Sequence, residues 1–249
     1  MSVLIDSWDA VAADYERYWV PRFRPWIAHT VSALGDLPPG PIAVPCCGTG
    51  AELALLAAHY PDREIVGIDL SPGMVAVARA KVSGRVRVVV GDAMALSGEW
   101  AGVVSCFGLQ QLPDPPRALA AWCRALSSGG RLAVAVWTAD IQDDGPFDAL
   151  REPVRRLIGP SDRTWNDRIR PAVEAEATLL SDALIPFAIH HDSPSAFWQG
   201  MVAFGPWQAR QRRHREATAA IESAFLASWP PGPFTHTPHA RIIVARASL

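Results

Sequence analysis

Lysine is nearly missing from this 249-residue chain: Lys81 is the only one, and arginine carries the rest of the positive charge. The 23 basic and 25 acidic side chains leave a formal net charge of −2, so there is no overall attraction to nucleic acid or to an anionic lipid surface. The one basic cluster, Arg210, Arg212, Arg213, His214 and Arg215, reads as a solvated helix face. Long apolar runs are absent too. Stretches such as Ile42–Cys47 and Leu132–Trp137 stop far short of the ~20 residues that a membrane-spanning helix needs. The opening residues Met1 to Asp6 carry no basic segment and meet an acid at once, which argues against a secretory signal and leads to the expectation of a cytoplasmic protein. Cysteine is scarce and has no C-x-x-C spacing: Cys46 and Cys47 are vicinal, and Cys106 and Cys123 lie in apolar stretches. Reduced thiols are expected rather than a disulfide framework.

What is present is a 49% hydrophobic composition, sufficient for a full core. Short β-branched runs alternate with longer amphipathic ones, the pattern of a parallel sheet with helices on both faces. Strands are predicted at Ile42–Val44, Glu64–Asp69, Val86–Val90, Gly102–Cys106 and Arg131–Trp137, with helices at Ala51–His59, Pro72–Lys81 and Pro115–Leu126. Ser71-Pro72 marks a helix start, an N-cap followed by proline where no N–H is needed. Gly129-Gly130 reads as the turn from the third of these helices into the fifth strand. From Thr138 to Asp182 the alternation gives way to helical patterns broken by Gly145-Pro146 and Gly159-Pro160, a cap insertion with bends suited to a lid. A sixth strand is expected at Leu184–Ile189, helical stretches around Pro194–Phe204 and Trp207–Ser228, and a last strand at Arg241–Ala247. Val11, Tyr15 and Trp19 predict an amphipathic helix over Asp6–Trp19. The whole is read as a single domain, with helices over 1–33, a ligand-binding half over 34–138, helical cap over 139–182 and 193–238, and the last strands over 183–192 and 239–249.

The loop Cys46-Cys47-Gly48-Thr49-Gly50 lies where the first strand turns into a helix. Two glycines let backbone approach a ligand closely, and a helix N-terminus offers free N–H groups. Asp69 ends the second strand, where an open α/β sheet places a carboxylate able to accept both hydroxyls of a ribose. Asp92, just past the third strand, lies at the same edge and can accept from an exocyclic amine. Together they describe a pocket for an adenosine.

On these residues the chain resembles the class I S-adenosylmethionine-dependent methyltransferases over positions 30–140. The resemblance rests on Cys47-Gly48-Thr49-Gly50, on Ile65-Val-Gly-Ile-Asp69-Leu-Ser71-Pro-Gly-Met74, on Gly91-Asp92-Ala93, and on Phe107 to Asp114 followed by Leu126-Ser-Ser-Gly129-Gly130-Arg131-Leu132. It implies a three-layer, doubly wound α/β fold with a mainly parallel seven-stranded sheet whose last strand is antiparallel, carrying a helical cap insertion. It also implies S-adenosyl-L-methionine as cofactor, with Gly48 and Gly50 against it, Asp69 on the ribose, Leu70 and Met74 beside the adenine, Asp92 and the Ala93 amide at the adenine edge, and Phe107 near the methionine part. The chain departs from the family at Cys46, where a glycine is usual and a Cβ would narrow the cofactor site, at Val44 and Ala101, where acids are usual, and at Gln110 and Gln111, where paired histidines are common.

Methyl transfer from a sulfonium is a displacement in which the protein mainly supplies proximity and orientation. A general base or positioning group is sought in His191, Gln111 and Tyr15, with His190, His236 and His239 as further histidines. His236-x-x-His239 lacks a third ligand, and no metal is expected. Cys46 or Cys47 at a helix N-terminus is considered as a nucleophile. Tyr15, Trp19, Trp137, Phe147, Phe197, Trp198, Phe204 and Trp207 suggest a lid over a small, largely apolar or aromatic acceptor. A monomer or homodimer with no nucleic-acid or membrane partner is expected. The alternative is a protein that binds the cofactor but catalyses a cyclisation or rearrangement. A nicotinamide oxidoreductase is disfavoured, because Cys46 and Ala51 break the G-x-G-x-x-G spacing.

Overall fold

The computed structural model describes residues 2–138, 141–142, 144–159, 162 and 164–248. They fall into two compact units: a sheet unit of Arg24–Thr138, Arg163–Ile185 and Ala240–Leu249, and an aromatic unit of Met1–Phe23, Ala139–Asp162 and Pro186–His239. The strands in chain order are β1 (Ile42–Pro45), β2 (Ile65–Asp69), β3 (Val86–Val90), β4 (Trp100–Cys106), β5 (Leu126–Val136), β6 (Thr178–Pro186), β7 (Ile189–His191), β8 (Phe234–His236) and β9 (His239–Arg246). The helices are α1 (Ser2–Ser32), α2 (Ala51–His59), α3 (Pro72–Arg79), α4 (Pro115–Arg124), α5 (Pro146–Ala149), α6 (Arg151–Leu157), α7 (Trp165–Glu174), α8 (Pro194–Val202), α9 (Gly205–Arg213) and α10 (Arg215–Ser228).

Seven strands form one sheet in the order β3-β2-β1-β4-β5-β9-β6. Strands β1 to β5 are mutually parallel, and β9 runs antiparallel to β5, with Arg131 opposite Arg246 and Val136 opposite Arg241. Alternate side chains serve opposite faces, as strand geometry requires. Ala43, Val103, Leu132, Val134 and Val136 join Leu119, Trp122 and Cys123 of α4 and Ile169 and Val173 of α7 in one core. The other face of β4 meets Leu34 and Leu37 just beyond α1: a Cβ on Gly102 would lie 3.0 Å from Leu37 Cδ1. The mainly parallel, doubly wound α/β sheet with an antiparallel last strand is therefore observed.

Several local expectations are corrected. The sixth strand is Thr178–Pro186 rather than Leu184–Ile189; Ile189 instead opens β7, which pairs with β8 in the aromatic unit. The physical reason is that β6 is an edge strand with an exposed leucine at 180 and at 184, so its pattern is less apolar than that of a buried strand. Gly129-Gly130 lies inside β5: the segment 127–130 bulges opposite Ala101, between the pairs Trp100–Leu126 and Gly102–Arg131. A Cβ on Gly130 would sit 2.8 Å from the carbonyl oxygens of both Ser127 and Trp100, so only glycine fits the bulge. Helix α1 runs on to Ser32 through Pro21 and Pro25; complete burial of Trp19, Phe23, Trp26 and Val31 outweighs the lost backbone bonds. Helix α7, expected within the cap, packs in the sheet unit against α4. At the first bend Gly145 is the N-cap and Pro146 the first residue of α5; of the second bend, Pro160 lies outside the described residues. Among the described residues no helix is long and apolar enough to cross a membrane.

Candidate functional site

The sheet unit gathers its chemistry at the carboxyl ends of β1, β2, β3 and β4, the edge where open α/β sheets bind ligands. Beyond Pro45, Cys46 takes a left-handed φ of 56°, and Gly48 and Gly50 follow at 51° and 81°. The Cys47 N–H donates to Ile68 O at 3.0 Å, tying the loop to β2. A Cβ on Gly48 would meet nothing within 4 Å, so the loop backbone faces open space there.

Asp69 fixes this loop against the next one. Its Oδ2 accepts from the Gly48 N–H at 2.8 Å, and its Oδ1 accepts from the Ser71 N–H at 2.9 Å. Ser71 caps α3 by accepting from the Met74 N–H at 3.1 Å, which sets Leu70 and the buried Met74 beside the same edge. Asp92 caps the short turn Ala93–Ala95, accepting from the Met94 N–H at 2.8 Å, while Ala93 O accepts from Trp122 Nε1 at 2.8 Å. Phe107 is also left-handed, with φ 61°, and its ring stacks on Trp137 with centroids 4.5 Å apart. Trp26 meets both rings edge-on.

Glu52, which the motif spacing did not single out, lies in the first turn of α2 and is 3% exposed. Its Oε1 accepts from the Cys106 N–H at the end of β4, at 3.0 Å. Burial pushes its carboxyl up to about 7, against the pull of that hydrogen bond. The signal was available: Glu52 shares a helix stripe with the buried Leu53 and Leu56. Two hydroxyls nearby, Thr49 Oγ1 and Ser105 Oγ, are buried with no hydrogen-bond partner.

The thiols do not behave as helix-terminal nucleophiles. Burial first, and then the charges of Asp69 and Glu52, push Cys46 and Cys47 well above the ordinary thiol range, opposite to what activation needs. The Cys46 side chain packs toward the α4 core and Gly108, where an added Cβ would lie 2.3 Å from Cys46 Cβ. The cysteine at this position is matched by a glycine across from it.

Of the three candidates for catalysis, Gln111 lies in the sheet unit, its N–H bonded to Gly108 O at 2.9 Å; beside it, Gln110 Nε2 donates to Phe107 O at 2.9 Å. Tyr15 and His191 belong to the aromatic unit. Tyr15 packs edge-on against Trp8 and Phe204. His191 is fully buried in a chain of polar groups. Tyr18 Oη lies 2.7 Å from its Nδ1, its Nε2 is 3.0 Å from His236 Nε2, and His236 Nδ1 is 2.6 Å from Gln142 Oε1. Gln142 Nε2 donates to Asp144 O, which leaves its oxygen to accept from His236. One proton arrangement then satisfies the chain: Tyr18 donates to His191, His191 to His236, and His236 to Gln142. Both imidazoles are neutral, His191 driven to about 3 and His236 to about 4 chiefly by burial. His191 has no free ring nitrogen with which to take a proton. His190 lies beside Thr235 and His239 beside Ile141 O. Among the described residues no group of three or more His, Cys, Asp or Glu is placed to hold a metal ion.

The aromatic residues expected to wall an acceptor mostly fill the core of their own unit. Trp19, Phe197, Trp198 and Trp207 are buried, and Trp19 packs on Phe23, Phe147, Phe197 and Phe204. Only Trp137 lies with the sheet-unit edge, against Phe107.

Comparison with known proteins agrees with this geometry. A family model described as "Methyltransferase domain" matches residues 42–130. The trans-aconitate 2-methyltransferase of Streptomyces avermitilis is 31% identical over 82% of this chain and 71% of its own length. The demethylmenaquinone methyltransferase of Thermus thermophilus is 35% identical over 44% of this chain, which spans about half (52%) of that relative. A solved geranyl diphosphate methyltransferase in complex with S-adenosylmethionine superposes with a TM-score of 0.55 at 15% identity, over 90% of this chain and 85% of that one. The long match at 31% identity, the ordered motifs and the strand order together establish that the chain belongs to the class I S-adenosylmethionine-dependent methyltransferases.

Proposed function

We propose that this chain transfers the methyl group of S-adenosylmethionine to a small-molecule acceptor, and that the acceptor is a carboxylic acid of the trans-aconitate kind. Gly48 and Gly50 would lie against the cofactor, Asp69 would take the ribose hydroxyls, Leu70 and Met74 would flank the adenine, and Asp92 with the Ala93 N–H would read its edge. Cys46 and Phe107 would border the methionine part. The observation that carries the reading is Asp69: backbone N–H groups of Gly48 and Ser71 fix its carboxylate at the end of β2, where an open α/β sheet places an acceptor for ribose hydroxyls. The open face at Gly48, the orphaned hydroxyls of Thr49 and Ser105 and the carboxyl groups around the loop fit a ligand of net positive charge. When bound, the cofactor supplies an activated methyl group on a cationic sulfur; the chain's own work is to orient it and keep water away.

Two observations support an acid as acceptor. A carboxylate is already ionised at neutral pH and needs no general base, in keeping with a His191 whose nitrogens are both engaged. Four of the eight aromatic side chains that argue for an apolar acceptor, Trp19, Phe197, Trp198 and Trp207, are spent in a core, and the relative matched along 82% of this chain is named for trans-aconitate. The curated sequence relatives are named methyltransferases, which favours methyl transfer over the non-methylating alternative. The cluster from Arg210 to Arg215 is largely exposed at the junction of α9 and α10, a solvated patch rather than a nucleic-acid groove.

The test is transfer of a labelled methyl group to trans-aconitate and, in parallel, to a demethylmenaquinone analogue, with the product read by mass spectrometry. An alkali-labile methyl ester is expected. Methylation of the quinone alone would overturn the acceptor assignment, and Asp69→Asn should weaken cofactor binding at least tenfold by calorimetry; unchanged binding would refute the ribose placement.

A further inference from the structure

Glu52 is a buried acid with an unusual neighbourhood. Its hydrogen-bond partners are all uncharged: the Cys106 N–H at 3.0 Å, its own backbone N–H and the Cys106 thiol. Among the described residues it forms no ion pair. The titratable groups facing it are the thiols of Cys46 and Cys47 on the glycine loop and of Cys106 on β4, and Lys81 beyond α3 acts on it only through its charge. Cys46 in turn feels Asp69, Asp92 and Glu52 together, so Glu52 belongs electrostatically to the loop and strand ends described above. Asp69 and Asp92 each accept from backbone N–H groups. Glu52 is different: 3% exposed on the first turn after the glycine loop, bonded to the end of β4 and without an ion pair among the described residues, it has its charged form opposed by burial, which pushes the carboxyl up, so a positive charge arriving at the loop favours loss of its proton.

We propose that Glu52 distinguishes methyl donor from spent product by charge, releasing its proton to solvent when the site holds the sulfonium and regaining one when the site holds the neutral thioether. The inference rests on the cofactor assignment above. The proton balance closes: one proton leaves the carboxyl as S-adenosylmethionine binds, and one returns from water once methyl transfer has left S-adenosylhomocysteine. The protein thereby holds the donor more tightly than the product as pH rises, which eases product exchange without any change of shape.

Calorimetry with S-adenosylmethionine and S-adenosylhomocysteine between pH 6 and 8, in buffers of different ionisation enthalpy, tests this. The donor-to-product affinity ratio should rise several-fold across the range in the wild type and stay level in Glu52→Gln. Infrared difference spectra of the wild type should show a protonated-carboxyl band lost on adding the donor and kept on adding the product, so the outcome does not depend on the variant folding. A ratio independent of pH in the wild type, a ratio that still rises in Glu52→Gln, or a band unaffected by the donor would each overturn the proposal. Failure of both compounds to bind at any pH would overturn the cofactor assignment itself.

Discussion

Replacing Gly108 with alanine forces a collision that the structure lets one size. The new Cβ would stand 2.3 Å from Cys46 Cβ, whereas carbon atoms in contact rest at about 3.5–4.0 Å, so more than ~1 Å of displacement is required between the ends of β1 and β4. Gly108 has φ −97° and ψ −38°, a right-handed conformation that alanine adopts freely, so the cost is collision and not backbone strain. Overpacking of this kind destabilises by about 1–3 kcal/mol. Cys46→Gly alone should be close to neutral: it relieves about 1–2 kcal/mol of left-handed strain at φ 56° and gives up a comparable amount of side-chain burial. In the double variant the next obstacles are Cys46 O at 3.1 Å and Ser105 Oγ at 3.3 Å, which shifts of a few tenths of an ångström absorb. A double-mutant cycle by urea unfolding should therefore return a coupling of about 2 kcal/mol, with glycine at 46 rescuing alanine at 108. Thermal scans should show a loss of about 4–8 °C in Gly108→Ala, most of it restored. Additivity within about 0.5 kcal/mol, or a silent Gly108→Ala, would refute the matched-pair reasoning.

Other perturbations follow from the same coordinates. Arg241 holds Asp182 through two bonds of 2.7 and 2.8 Å between β9 and β6 and gives Nη1 to Asn166 O. Asp182→Ala strands a largely buried guanidinium and should cost about 3 kcal/mol in urea unfolding, while an added Arg241→Met should recover much of it; an unchanged midpoint in the single variant would count against the pair. The arginine holds the Asp182 carboxyl below its usual range, so its contribution is present above the unfolded carboxyl value near 4 and lost as pH falls through the lower folded one. The buried pair His191 and His236 acts earlier. With folded values near 3 and 4 against about 6.5 unfolded, stability is whole above pH 6.5 and drains as the unfolded chain takes up protons that the folded one refuses. A loss on the order of 6 kcal/mol by pH 4, about 3 from each histidine, is expected, shallower in a His191→Phe, His236→Phe double variant; thermal stability that is flat from pH 7 to 4.5 would refute it.

The sheet unit is largely legible because its strands are short, β-branched and punctuated by glycine, and because the acids at 69 and 92 stand at the ends of successive strands, the edge where open α/β sheets bind ligands. The edge strand β6 was not, since exposed leucines on a half-solvated strand carry no clean period. Helix α1 was cut short because Pro21 and Pro25 signal a stop locally, while the burial that overrides them depends on residues far along the chain. At the site, Cys46 was read as an obstacle to a ligand, and only coordinates reveal that its Cβ is answered by Gly108. Glu52 and the chain Tyr18, His191, His236 and Gln142 depend on long-range proximity: their partners are separated by 54, 173, 45 and 94 residues. No spacing rule reaches that far.

All four cysteines, at positions 46, 47, 106 and 123, lie in the sheet unit and none in the aromatic unit. Cys47, Cys106 and Cys123 are buried and Cys46 partly so; held as thiols, the three buried ones react with an alkylating reagent only when that unit opens. The protein thus carries an internal reporter confined to one of its two parts. The rate of thiol labelling measures how often the sheet unit breathes, and its slowing by an added ligand measures how firmly the ligand shuts it, with no probe grafted onto the chain.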